Sequence, residues 1–261
     1  MNWVDSIRSI TDRWASGKPR FRNGVSKIGA STIGNQYYCE QEVEMEHTAG
    51  KIETEEKTAG TAMHSILLPM KKTTTDEVIK GIQTKTIYVV SFPLLANCSE
   101  LVLAGFPDVV IFFKGSPLFV VELKTTRGDI SKLWPNHLVQ ARVYGLLLQE
   151  MGFDCSRLKL AVISHRRNGD LSGEYRRKFL VSLVKLLVKE REDAAGNRGD
   201  FHVHLIDYAK EDAVANVKWA EDYWLSKRQP ISTRNVGKCR SCEYVDTCPA
   251  SLVKPTESSP E

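Results

Sequence analysis

Between Thr86 and Thr126 three strand-length apolar runs follow one another, TIYVVSFPLL, ELVLAGFPDVVIFF and PLFVVELKTT, and the last two carry charge inside them. Runs this long and this rich in Val, Ile and Phe, bounded by turn residues, read as buried strands. Asn97-Cys98-Ser99 and Lys114-Gly115-Ser116-Pro117 supply the breaks, so the segment is expected to form a meander of three strands. Pro107-Asp108 falls within one strand and Glu122-Leu123-Lys124 within the next. Side chains alternate along a strand, which puts Glu122 and Lys124 on one face together with Val120 and Leu118. A charged pair on so apolar a strand is costly unless it finds partners.

The rest of the chain alternates helical and strand patterns around this core. SKLWPNHLVQARVYGLLLQEMG carries Leu138, Val143, Leu146 and Leu147 at helical spacing and stops at Gly152. LKLAVISH reads as a buried strand, EYRRKFLVSLVKLLVKERED as an amphipathic helix, FHVHLIDY as a strand and KEDAVANVKWAEDYWLSKR as a final helix. The expected organisation is a helical region over 1–68, an α/β core over 69–228, a cysteine segment over 229–250 and a disordered tail over 251–261. A length of 261 residues fits one such α/β domain, and a net charge of +4 permits nucleic-acid binding without requiring it. No apolar run approaches the roughly 20 residues that span a bilayer. MNWVDSIRSITDRW lacks the layout of a signal peptide, so a cytoplasmic location with no membrane partner is expected. Nothing in the sequence indicates an oligomeric state.

If the two charged strands pair, Asp108 comes near Glu122. Two neighbouring carboxylates repel one another unless a cation lies between them, and hard oxygen ligands suit Mg²⁺ or Mn²⁺. A lysine alongside, Lys124, stabilises an oxyanion or positions a water. These are the parts of metal-assisted phosphodiester hydrolysis. The bare pattern also fits a plainer arrangement, with Glu122 and Lys124 a surface pair on an edge strand and Asp108 a turn residue. Gln140 and Tyr144, four residues apart on the following helix, share a face. His64 in GTAMHSIL is a further candidate metal ligand.

Together, Pro107-Asp108, Glu122-x-Lys124 and Gln140-x-x-x-Tyr144 resemble the RecB-like branch of the PD-(D/E)XK nucleases. Gly60 and His64 match that branch's upstream G-x-x-x-H, and all the elements fall in family order from Gly60 to Tyr144. The resemblance implies a restriction-endonuclease-like core, a mixed central sheet flanked by helices. It implies that His64, Asp108 and Glu122 bind metal together with the backbone carbonyl of Leu123. It also implies that Lys124 is catalytic and that Gln140 and Tyr144 orient DNA.

Cys239, Cys242 and Cys248 lie in GKCRSCEYVDTC, and three clustered cysteines in a reducing compartment point to a metal site. Some RecB-like members hold an iron–sulfur cluster through one cysteine before the core and three after it. STIGNQYYCEQE, with Cys39, resembles the first motif, although Glu40 stands where proline is frequent; CRSCEYVDTCP resembles the closing C-x-x-C-x(5)-C-P. The resemblance implies a cluster on Cys39, Cys239, Cys242 and Cys248 and favours 4Fe-4S; the thiolate set alone leaves 2Fe-2S and zinc open. Cys98 and Cys155 read as turn and core residues.

No G-x-x-x-x-G-K-[ST] loop occurs in the chain. A single RecB-like domain with four such cysteines is similar, from about Ser31 to Pro249, to the CRISPR-associated exonuclease family, the fourth of the numbered Cas proteins. That implies a metal-dependent exonuclease on single-stranded DNA or DNA ends, cutting 5′-to-3′ with endonuclease cutting as a second mode. It further implies trimming of spacer precursors alongside CRISPR integrase proteins. A repair or mobile-element nuclease, and a silent DNA-binding or assembly subunit, stay open as alternatives.

Overall fold

The computed structural model describes residues 2–167 and 172–253. Two short helices, α1 (Trp3–Arg8) and α2 (Ile10–Ala15), precede a two-residue strand β1 (Ile28–Gly29) and the long helix α3 (Ala30–Thr48). Helix α4 (Glu55–Leu67) starts at Thr54, whose side chain accepts the Lys57 N–H, and α5 (Thr75–Thr84) starts at a capping box of Thr74 and Glu77. Then come β2 (Ile87–Val90), β3 (Leu94–Cys98), β4 (Leu101–Gly105), β5 (Val109–Phe113), β6 (Ser116–Thr126) and α6 (Pro135–Glu150). The chain continues through β7 (Lys159–Arg166), α7 (Gly173–Glu190), β8 (Gly196–Arg198), β9 (Phe201–Asp207), α8 (Lys210–Trp224) and α9 (Val236–Arg240).

A mixed sheet in the order β2-β5-β6-β7-β9-β8 forms the centre of the molecule. Within it β6 and β7 run parallel and the other neighbours antiparallel. Parallel neighbours need a crossover, and α6 provides it. Residues of α3, α6 and α8 build the larger core on one face, while α4 and α7 close the other. This is the α/β core that the strand and helix patterns lead one to expect, and the mixed central sheet flanked by helices that the resemblance implies.

The meander is a different matter. The segment holds five strands, not three, and they belong to two sheets: β4 pairs with β3 on one side and β1 on the other in a separate sheet of order β1-β4-β3. Proline has no N–H to give a ladder, and the breaks fall at Ser91-Phe92-Pro93 and Phe106-Pro107-Asp108. Pro107-Asp108 is therefore the junction where the chain leaves the small sheet for the large one, not the interior of a strand. Lys114 and Gly115, with φ of 49° and 87°, make the tight turn of the β5–β6 hairpin.

Leu118 also departs from strict alternation. Ile111 pairs with Phe119 but Phe112 pairs with Pro117, so the register shifts and Leu118 is the extra residue of a bulge. It packs with Phe119 and Val121 toward α7, whereas Val120 faces α6. Cys98 ends β3 inside the core and is not a turn residue. Of the expected disordered tail, 254–261 lies outside the described residues. No helix among the described residues is long and apolar enough to cross a membrane.

Candidate active site

The junction before β5 and the middle of β6 bring the predicted charged residues together. Asp108 Oδ2 accepts the Leu123 N–H at 2.7 Å, which fixes the carboxylate across the strand pair. Its other oxygen, Oδ1, lies 3.0 Å from His64 Nδ1, presented by α4. Glu122 is 2% exposed and its Oε1 is 2.8 Å from Lys124 Nζ. Lys124 Nζ also donates to Gln140 Oε1 at 3.0 Å, and Gln140 Nε2 donates to the Tyr144 hydroxyl at 3.0 Å. Tyr144 in turn donates to the Phe106 carbonyl, again at 3.0 Å. A single chain of hydrogen bonds therefore runs from Glu122 through Lys124, Gln140 and Tyr144 back to the sheet junction. It holds the lysine head in one place.

Gln140 and Tyr144 are buried, and their polar groups are engaged in this chain. What they visibly do is position Lys124. Gly105 makes the arrangement possible, since a Cβ there would sit 2.6 Å from the Tyr144 ring. The same cavity is also lined by Trp14, Lys27, Ser31 and Phe106, which the sequence reading did not single out. Trp14 of α2 and Phe106 meet edge to face with centroids 5.5 Å apart. Phe106, directly before Pro107-Asp108, is the one signal the sequence carries; the docking of α2 and β1 is tertiary and leaves none.

Burial pushes the Glu122 carboxyl up to about 7; the Lys124 ammonium opposes this, and the Asp108 charge adds to it. Burial alone would lower His64, but its hydrogen bond to Asp108 and the charges of Asp108 and Glu122 outweigh that and raise it. Cationic charge is thus favoured at this spot, which fits a hard divalent cation on His64, Asp108 and Glu122. Among the described residues no three His, Cys, Asp or Glu side chains stand close enough to enclose an ion as they are. Glu122 faces Lys124, and Asp108 is shared between His64 and Leu123.

The cysteines meet at a second place. Cys39, Cys239, Cys242 and Cys248 line one cavity, with Tyr38, Lys238 and Tyr244 among their neighbours. Helix α3 breaks at Cys39, which adopts extended backbone (φ −166°, ψ 113°), and its Sγ accepts the Thr233 N–H at 3.4 Å. Glu40, fully buried, receives both Nη groups of Arg228 and the Ile231 N–H, while its own N–H bonds to the Ile231 carbonyl. The segment after α8 is thereby fastened beside Cys39. Asn235 caps α9, Tyr244 donates to the Gly50 carbonyl at 2.7 Å, and Lys57 pairs with Glu243. Burial pushes the Cys242 thiol up to about 11, and burial also raises Cys248, with the Cys39 and Cys239 charges adding to it. Four thiols around one cavity are the donor type that a thiolate-bound metal or cluster takes, but among the described residues they too do not stand close enough to enclose an ion as they are. Cys155 is buried in the core.

A family model of the PD-(D/E)XK nuclease superfamily matches residues 72–249, a span that includes Asp108, Glu122, Lys124 and the three C-terminal cysteines. No curated protein matches the sequence. Among solved structures, the crystal structure of SSO0001 is similar over 96% of this chain and 96% of its own, at 15% identity and a TM-score of 0.46. The alkaline exonuclease LHK-Exo from Laribacter hongkongensis is similar over 77% of this chain and 87% of its own, at 10% identity and a TM-score of 0.41. Both are distant likenesses, and nothing about substrate passes from them to this chain.

Proposed function

Because this chain belongs to the PD-(D/E)XK nuclease superfamily, we propose that it is a metal-dependent deoxyribonuclease. Its substrate in this reading is single-stranded DNA or DNA ends, cut as an exonuclease in the 5′-to-3′ direction with endonuclease cutting as a second mode. The setting is spacer-precursor processing in CRISPR adaptation, with integrase proteins as partners. The observation that carries the proposal is the convergence of His64, Asp108, Glu122 and Lys124 in one cavity, with Lys124 held by Gln140.

His64, Asp108, Glu122 and the Leu123 carbonyl would hold Mg²⁺ or Mn²⁺. Such an ion, when bound, lowers the pKa of a coordinated water and neutralises phosphate charge. Lys124 is the chain's own contribution at the reacting centre. Its ammonium, fixed before substrate arrives, stabilises the charge that develops on the phosphoryl oxygens. Gln140 and Tyr144 keep it there without reorganisation. Cys39, Cys239, Cys242 and Cys248 would hold an iron–sulfur cluster, 4Fe-4S in this reading, which joins the chain's two ends beside the site.

Degradation of end-labelled single-stranded DNA with Mn²⁺ tests the catalytic assignment. Wild type should cut, and Glu122→Ala and Lys124→Ala should each lose at least a hundredfold, in the range of a removed transition-state contact. Equal degradation by all three refutes it. For the cluster, anaerobically purified protein should be brown and contain iron and acid-labile sulfide, and Cys39→Ser should lose both. A colourless protein with stoichiometric zinc, or a cluster that survives Cys39→Ser, overturns that assignment.

A further inference from the structure

Lys124 belongs to two cavities. One is the candidate active site, about 980 Å³ with its mouth. The other, about 1000 Å³, extends toward the C-terminal end of β6 and the first turn of α6, and reaches α9 at Lys238. Its floor continues across the sheet, because Lys124 pairs with Ser164 of the neighbouring strand and Ser164 lines it too.

The lining of this second cavity is basic and aromatic. Three lysines line it, Lys124, Lys132 and Lys238, against one carboxylate, Asp129, which is engaged with the N–H and hydroxyl of Ser131. Among the described residues neither Lys132 nor Lys238 forms an ion pair with a carboxylate. Each rests on an aromatic face instead: Lys132 Nζ is 3.7 Å from the centre of the Trp134 ring, and Lys238 Nζ is 4.2 Å from that of Tyr38 while donating to the Tyr38 carbonyl at 2.9 Å, which leaves its other two N–H groups for an anion. Neither Trp134 nor Tyr38 packs against either hydrophobic core. Two half-buried rings that serve no core, each paired with a cation that has no anion, are the elements that bind a single strand: π-faces for unstacked bases and ammonium groups for phosphates.

We propose that this cavity is a binding subsite for the nucleotides adjoining the cleaved linkage. Trp134 and Tyr38 stack on bases, Lys132 and Lys238 take phosphates, and a single strand lies across Lys124 from one cavity into the other. The nature of the strand, DNA, rests on the nuclease reading above; the subsite rests on the cavity.

The test is binding of fluorescein-labelled oligothymidylate in EDTA, where no metal supports cutting, across a salt series. Trp134→Ala should weaken binding by roughly fivefold to a hundredfold, the range for losing one base–aromatic stack, and Trp134→Phe should restore most of it. The Lys132→Ala/Lys238→Ala pair should make the slope of log K against log salt shallower by about 1.4, at about 0.7 per phosphate contact on a single strand. Circular dichroism checks that the variants fold, and the lysine pair, which removes no member of either hydrophobic core, keeps the test decisive if Trp134→Ala does not. Unchanged affinity and slope in the variants, or a wild type that does not bind, overturns the subsite. Cutting of the same oligonucleotide with Mn²⁺ separates the two claims. A wild type that binds as described but never cuts refutes the nuclease and leaves the subsite. One that cuts while its variants bind unchanged refutes the subsite and leaves the nuclease.

Discussion

Glu40→Ala should loosen the fastening that sets the cysteine segment beside Cys39, and its cost follows from the contacts. The carboxylate is fully buried and accepts from Arg228, the Ile231 N–H at 2.9 Å and Gln36 Nε2 at 2.8 Å. Removing one partner of a buried ion pair costs about 3–5 kcal/mol. The Arg228 side chain is 22% exposed and turns partly to water, which favours the lower end of that range. The Gln36 amide keeps its bonds to the Ala220 carbonyl and the Trp224 indole, and the Ile231 N–H left without its acceptor costs about 1–3 kcal/mol, overlapping with the first figure and not adding to it. A net loss of about 3–4 kcal/mol results, or a fall in Tm of roughly 10 °C at a few degrees per kcal/mol. Thermal melts of chelated protein measure it without any contribution from a bound metal. If the contacts act as one unit, Glu40→Ala/Arg228→Ala should cost little more than Glu40→Ala alone. A loss below about 1 kcal/mol, or costs that add in the double variant, would show that the segment is not held through Glu40.

Two further outcomes concern the active site. With the Glu122 carboxyl raised to about 7, its folded value lies above its unfolded one of about 4.3, so the fold favours the protonated form. Stability of the metal-free protein should therefore fall as pH rises from about 4.3 to about 7 through this group. A bound divalent ion must displace that proton, so Mn²⁺ affinity should be about tenfold weaker at pH 6 than at pH 8, with raised His64 acting in the same direction. Calorimetric titration at the two pH values checks this, and equal affinities refute it. Gly105→Ala puts a Cβ 2.6 Å from the Tyr144 ring, so overpacking should cost about 1–3 kcal/mol. Because Tyr144 holds Gln140 and Gln140 holds Lys124, kcat should fall more than KM rises in that variant. A melt and a steady-state assay on one preparation read both effects.

What was legible in the sequence had a short-range cause. Glu122 and Lys124 stood out because charge inside a β-branched run is expensive, and the Lys114-Gly115 turn because a two-residue hairpin needs positive φ. The strand breaks at Pro93 and Pro107 were visible as residues, but their consequence was not. Which sheet a strand joins depends on partners such as β1, more than sixty residues from β4 in sequence. Alternation alone could not place Leu118 either, since the bulge is set by the register with β5.

Helix α3 shows why the rest stayed hidden and what unites it. It buries Gln36 and Glu40 among its apolar residues, so it presents no clean hydrophobic stripe to read. Yet Ser31 at its start lines the active-site cavity, Tyr38 lines the second cavity, and Cys39 lines the cysteine cavity. Glu40 then ties the returning chain to it. The polar groups that spoil its periodicity are the ones that make these connections, with Gln36 bridging Glu40 and the Trp224 indole. One helix thus sets the spacing between the candidate catalytic lysine, the proposed strand subsite and the cysteines. A perturbation at Glu40 should accordingly reach oligothymidylate binding through Tyr38 and Lys238 before it reaches Lys124, which β6 and α6 hold independently.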